Sequence, residues 1–198
     1  MAPKPFLDHT VRVEANRVIA SDLNALNHEM HTVAAWMKPE EWRRRNVPGT
    51  NLPAFTFWHI ARIIDSTVHM GVRGVPELIS SEPWASKAWA RPEGGVGYSA
   101  EQADQLAAQV EPAEVLDYAD AVRSAVSQWL RSISDEELQA PARLRDHALA
   151  QPAYNTPAVL DAVAPLDGQP AWLILTITCF AHSWAHLEEI RLLARAGR

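Results

Sequence analysis

Apolar residues recur along this chain in steps of three and four, the period that predicts helices rather than strands. The cleanest run is Ile19, Leu23, Leu26, Met30, Val33 and Met37, a seam that lines one face of a bundle helix. That helix is predicted to begin at about Asp8 or Thr10 and to stop at Pro39, with one short extra turn over residues 40–46. FTFWHIARIIDSTVHM predicts a second helix from Thr50 or Asn51 to about Met70, with Pro53 tolerated in its first turn. A further seam, Val115, Ala119, Val122, Val126, Trp129 and Ile133, follows Pro112 in the same way. Residues 171–196 predict the last long helix, apolar nearly all round, as a helix at the centre of a bundle would be.

Shorter elements fill the intervals. Ser99 with Gln102 reads as a capping box opening a short helix to about Gln109, and Ser134 with Glu137 as a cap for one or two turns. Residues 71–97 are rich in glycine, proline and tryptophan and predict loops. Residues 141–170 carry five prolines and are too long for a plain connection, which predicts a segment covering a pocket. Four long helices and no convincing strand predict an all-α fold, an antiparallel four-helix bundle with long loop-rich crossovers, formed by residues 1–198 as a single domain.

Composition narrows the function classes. A net charge of −6 supplies no basic field for a phosphate backbone, and Arg43, Arg44 and Arg45 form the only basic run, so nucleic acid is not an expected partner. Thr176, Thr178, His182, Ser183 and His186 interrupt the longest apolar stretch, so no membrane span is expected. Cys179 is the single cysteine and the opening MAPKPFLDH lacks the apolar run of a secretory signal, so a reducing, cytoplasmic setting is the expectation. Eight tryptophans predict either an aromatic core or a pocket walled by rings, with Trp58 and Trp184 beside the histidines discussed next.

His182 and His186 lie four apart, so a helix sets them about 40° apart on one face, one turn from each other. His59 shares the inward side of the second helix with Phe55, Ile63 and Ser66. Three imidazoles fit an open site for zinc, nickel or ferrous iron, with positions left for water or substrate. The plainer alternative is three core histidines satisfied by hydrogen bonds. Ser183 follows His182 where the H-E-x-x-H metalloprotease motif needs glutamate, and no histidine has a glutamate three residues before it, which excludes the di-iron bundle motif. His28 and His31 fall on the solvent side of the first seam, His69 at a helix end, and Cys179 reads as buried packing. Arg62 either holds an anionic substrate group or pairs with Asp65, and Glu189, one turn past His186, either orients that ring or lies on the surface.

FWHIARIID in the second helix, followed after a long interval by DGQPAW and TCFAHSWAHLEEIRLLARAG, resembles the DinB superfamily of bacterial four-helix proteins. The resemblance covers most of the chain as architecture but few positions as motif. It implies that His59, His182 and His186 are a metal triad. Relatives of that kind include mycothiol-dependent maleylpyruvate isomerase, other bacterial thiol transferases and the N-terminal domain of ergothioneine-forming sulfoxide synthases. Where family members often carry Gly-Gln after the final His-Leu, this chain has Glu188-Glu189. The resemblance implies a divalent-metal enzyme that uses a low-molecular-weight thiol against a small electrophile. Two rivals stay open: a metal-dependent hydrolase, and a non-catalytic bundle, with a homodimer as a further expectation.

Overall fold

The computed structural model describes residues 14–196. The predicted start of the first helix, at Asp8 or Thr10, lies outside them. Helix α1 (Ala15–Trp36) buries Ile19, Leu23, Leu26, Met30 and Val33 as the seam predicts, and a 3-10 turn (Pro39–Arg43) follows Pro39. Helix α2 (Pro53–Asp65) has every residue buried, and it continues without a break into a π-helical turn (Ser66–Val72). Helices α3 (Ala100–Ala107) and α5 (Asp135–Gln139) open on the Ser99 and Ser134 capping boxes. Between them lies α4 (Pro112–Ser132), which packs on both α1 and α2.

In α4 the seam departs from expectation at its end: Leu130 is buried, while Trp129 and Ile133 are only partly so. A straight helix repeats at 3.6 rather than 3.5 residues, so over several turns the buried stripe drifts on to the next position. Trp129 turns outward under the guanidinium of Arg73, 5.6 Å from its ring centroid.

Residues 141–170 are not a plain loop. They contain α6 (Leu144–Leu149) and α7 (Pro157–Val163). Their two ends are pinned together by an isolated antiparallel bridge between Pro141 and Pro170, with Ala142 N–H donating to Gln169 O (2.9 Å) and Gly168 N–H donating to Ala142 O (2.9 Å). His147 Nδ1 then donates to Gly71 O (2.7 Å), fastening α6 to the π turn after α2.

The last helix is built from α8 (Ala171–Ile174), a second π-helical stretch (Leu175–Ala181) and α9 (His182–Ala196). It packs on α1 and α2 but is not buried all round, since Thr176, Ile177, Ala181, His182 and Ala185 are exposed. Its apolar circumference has a different reason: Ile177, 43% exposed, faces a cavity rather than neighbouring side chains. Among the described residues the fold is all helical, with no strand, and no helix is long and apolar enough to cross a membrane.

Leu26 is fully buried where α1 meets the other helices. Truncation to alanine removes transfer energy and leaves a cavity, so Leu26→Ala should lower stability by about 2–5 kcal/mol in urea unfolding.

Candidate metal centre

The fold brings His59, His182 and His186 together. One nitrogen from each lies within 4.8 Å of the others. His182 Nε2 stands 3.0 Å from His59 Nε2 and 3.1 Å from His186 Nε2. His59 is buried against Phe55, whose ring stacks on it at 5.7 Å, whereas His182 is exposed and His186 half-buried. The pair on α9 therefore sits at the edge of the core rather than inside it, and the cluster opens to solvent on one side.

The outward ring nitrogens fix what the inward ones can do. His59 Nδ1 lies 2.7 Å from Gly94 O. A carbonyl only accepts, so Nδ1 carries the proton and Nε2 of the neutral ring presents a lone pair. His186 Nδ1 faces Glu189 Oε2 at 3.3 Å, which favours the same tautomer. Burial first, then the charges of His186 and His182, lowers the pKa of His59 to about 4 against the pull of the Gly94 carbonyl. Although part of its surface is exposed, the atoms packed around the His182 ring desolvate it, and this, followed by the charge of His186, also lowers its pKa. Both rings are thus neutral near pH 7.

A proton on His182 Nε2 satisfies one of the two facing lone pairs well, not both. A cation satisfies three at once. With metal–imidazole bonds of about 2.0–2.1 Å, adjacent nitrogens on one ion are about 2.9–3.4 Å apart, the range in which the two separations from His182 Nε2 fall. The donor set therefore fits a divalent metal with open positions, and it could hold one.

His59 and His182 also form part of the wall of a cavity of about 430 Å³. It lies between the two π-helical turns: Ser66, Thr67, Met70 and Gly71 line it from one side, Ile177 and Thr178 from the other. The segment 141–170 closes it with Leu144, Tyr154, Val159, Ala162, Val163 and Leu166, in keeping with its predicted covering role. Tryptophan is absent from these walls. Trp58 is fully buried, its indole N–H donating to Trp89 O (3.1 Å), and Trp184 is half-buried in packing against the core, so of the two expectations the aromatic core is realised and the pocket is an aliphatic one.

In sequence, residues 23–190 match the profile of the DinB superfamily, most of the chain and both histidine-bearing helices. The chain belongs to that superfamily. A shorter likeness, 38% identity over 56 residues, links 28% of this chain to 6% of a leucine–tRNA ligase of Methanococcus vannielii. The chain thus spans a small fraction of that relative's length.

In this DinB-superfamily chain Arg62 lies beneath the centre and is wholly enclosed. It donates to Asp65 Oδ2 (2.9 Å), Glu77 Oε1 (2.7 Å), Tyr118 OH (2.8 Å) and Tyr154 OH (3.0 Å), and to the carbonyls of Arg91 (3.1 Å) and Pro92 (2.6 Å). The Asp65 pair is present, and a group so fully engaged has nothing left to offer a substrate anion. Its effect on the centre is indirect. By holding the carbonyls of Arg91 and Pro92 it fixes the strand of loop whose Gly94 carbonyl orients His59.

No local pattern in the sequence links Glu77, Tyr118 and Tyr154 to this network, since 15, 56 and 92 residues separate them from Arg62. His69 lies at the end of the second helix as expected, in its closing π turn. It is buried, 2.8 Å from Asp65 Oδ1, because the π turn carries it back over that carboxylate. His28 is exposed as expected, while His31 is half-buried and lies 3.2 Å from Asp120 Oδ1. Cys179 is buried, and burial pushes its thiol up to about 12, so it is inert packing.

Removing the guanidinium would strand two buried carboxylates. Arg62→Ala should cost about 3–5 kcal/mol in urea unfolding. Burial raises the Asp65 carboxyl, but the hydrogen bond with His69, the charge of Arg62 and the Tyr118 hydroxyl outweigh it and hold the pKa below its ordinary 3.8. Burial prevails at Glu77, whose carboxyl sits above its ordinary value despite Arg62 and Tyr154. A depressed carboxylate adds stability that is present above about pH 5 and is lost as the pH falls through the folded value. The stability advantage of the parent over Asp65→Asn should therefore be full at pH 7 and shrink below about pH 4, measured by urea titration at each pH.

Proposed function

We propose that this protein is a divalent-metal-dependent enzyme in which His59, His182 and His186 are the metal ligands and a low-molecular-weight thiol is transferred to a small electrophilic substrate. The observation that carries the metal assignment is the convergence of three Nε2 atoms whose partner nitrogens, on His59 and His186, are turned to acceptors. Membership of the superfamily supports it over the whole of the matched region. When bound, a zinc, nickel or ferrous ion supplies Lewis acidity that brings a coordinated thiol or water toward its anionic form near neutral pH.

The chain's own residues perform the rest. Gly94 O and Glu189 hold two rings with their lone pairs inward, so little conformational freedom is lost when a cation is taken up. The burial of His59 keeps it unprotonated well below neutrality, which avoids competition between proton and metal. The exposed side of His182 leaves an approach for the second reactant, and the aliphatic cavity beside it excludes water from the reacting groups. Hydrolysis with water as the nucleophile uses the same ligands and is separated from thiol transfer by experiment.

Protein purified without a polyhistidine tag should contain close to one equivalent of divalent metal by elemental analysis. His59→Ala and His182→Ala should each lose it, and Glu189→Ala should weaken binding by about tenfold. Unchanged metal content in the two histidine variants would show that the triad is not the site. A panel of bacterial thiols with a chromogenic electrophile should give thiol-dependent turnover that disappears on chelation; turnover with water alone would assign the protein to the hydrolases.

A further inference from the structure

The cavity beside the triad has a composition of its own. Ile63, Met70, Val159, Val163, Leu166 and Ile174 give it an aliphatic surface drawn from four elements and the loop after α7. Among its lining residues there is no lysine or arginine, and Glu93 is the one carboxylate, already accepting a hydrogen bond from Tyr98 OH at 2.6 Å. The hydroxyl of Tyr154 is committed to Glu77 and Pro92. An anionic body entering here would meet a carboxylate and no lysine or arginine, and a strongly polar one would find few partners beyond the unpaired hydroxyl of Thr178 among the hydrocarbon. A neutral aliphatic body gives up no polar hydration by entering and gains by leaving water.

Size sets a second limit. About 430 Å³ accommodates roughly fourteen water-sized groups at about 30 Å³ each. An aliphatic body of about eight carbons fits with room for a polar head at the opening, where His59 and His182 form the wall. The joint position of head and tail separates this cavity from an ordinary packing void: two of the three converging imidazoles are on the same surface as the hydrocarbon walls.

We infer that the site takes substrates built as a metal-seeking or electrophilic head on a neutral aliphatic chain of about eight carbons, the head at the histidines and the chain between the two π-helical turns under the segment 141–170. The head-group half of this inference rests on the metal reading above; the chain half does not.

The test uses the full chain loaded with cobalt(II), whose visible spectrum reports ligation, and a series of n-alkyl hydroxamic acids from acetohydroxamic to octanohydroxamic acid. Affinity by calorimetry should rise about three- to fourfold for each added methylene. Ala162, exposed by its position on the cavity surface, can be enlarged without disturbing packing. Ala162→Phe should flatten the chain-length dependence while leaving the cobalt spectrum and the affinity for acetohydroxamic acid as in the parent. A flat series in a parent protein that does bind cobalt would overturn the inference and leave the metal reading standing. If no cobalt binds, the metal reading has failed, and 1-octanol added to the metal-free protein decides the chain half: a rise in melting temperature absent from Ala162→Phe upholds it, and no rise overturns it.

Discussion

The interaction on which the rest of the structure depends is the enclosure of one guanidinium, Arg62, by Asp65 one turn along its own helix and by groups from four distant parts of the chain. A buried cation is tolerable only when its hydrogens are matched. Tyr118, Glu77, Tyr154 and Asp65 together outweigh the effect of burial and keep it charged well above its ordinary range. Satisfying it ties α4 to α2, draws in the turn at Glu77, fixes the loop at Arg91 and Pro92, and fastens the covering segment through Tyr154. Hydrophobic burial would leave those pieces free to slide; the planar fork of donors gives each one a single address.

The metal centre and its cavity are two outcomes of that arrangement. The loop held by Arg62 supplies Gly94, which sets the His59 tautomer, and the segment latched by Tyr154 supplies the cavity's outer wall. A reacting group at the histidines would thus have a polar, partly open side toward solvent and an aliphatic side toward the cover. Such a division allows a charged head and an apolar body to be recognised by different physical means in one small volume.

Much of this was legible in the chain. The seam of α1, the capping boxes at Ser99 and Ser134 and the i, i+4 histidines are local patterns, and local patterns survive folding because neighbours on a helix face are fixed by its pitch. His59 could be set on the inward side of its helix for the same reason. The network around Arg62 was out of reach beyond Asp65, because Glu77, Tyr118 and Tyr154 have no periodic relation to it. The tryptophans misled for a related reason: proximity in sequence placed Trp58 beside His59, but adjacent helix positions point about 100° apart, and that turn sends the indole to Trp89. Nor does apolar composition distinguish a helix surrounded by side chains from one that faces a cavity, which is why the last helix was expected to be more enclosed than it is.

The π-helical stretch at Leu175–Ala181 ends immediately before His182. A wide turn accommodates one residue more than an ordinary turn, and each residue rotates everything beyond it by about 100° around the axis. The aim of His182 and His186 is therefore set by how many residues precede them in that turn rather than by which residues they are. Substitutions there would leave the histidines directed as before, whereas a single insertion or deletion would swing both away from His59. The centre is in this sense robust to changes of spelling and fragile to changes of length, and variation among chains of this build should respect that asymmetry.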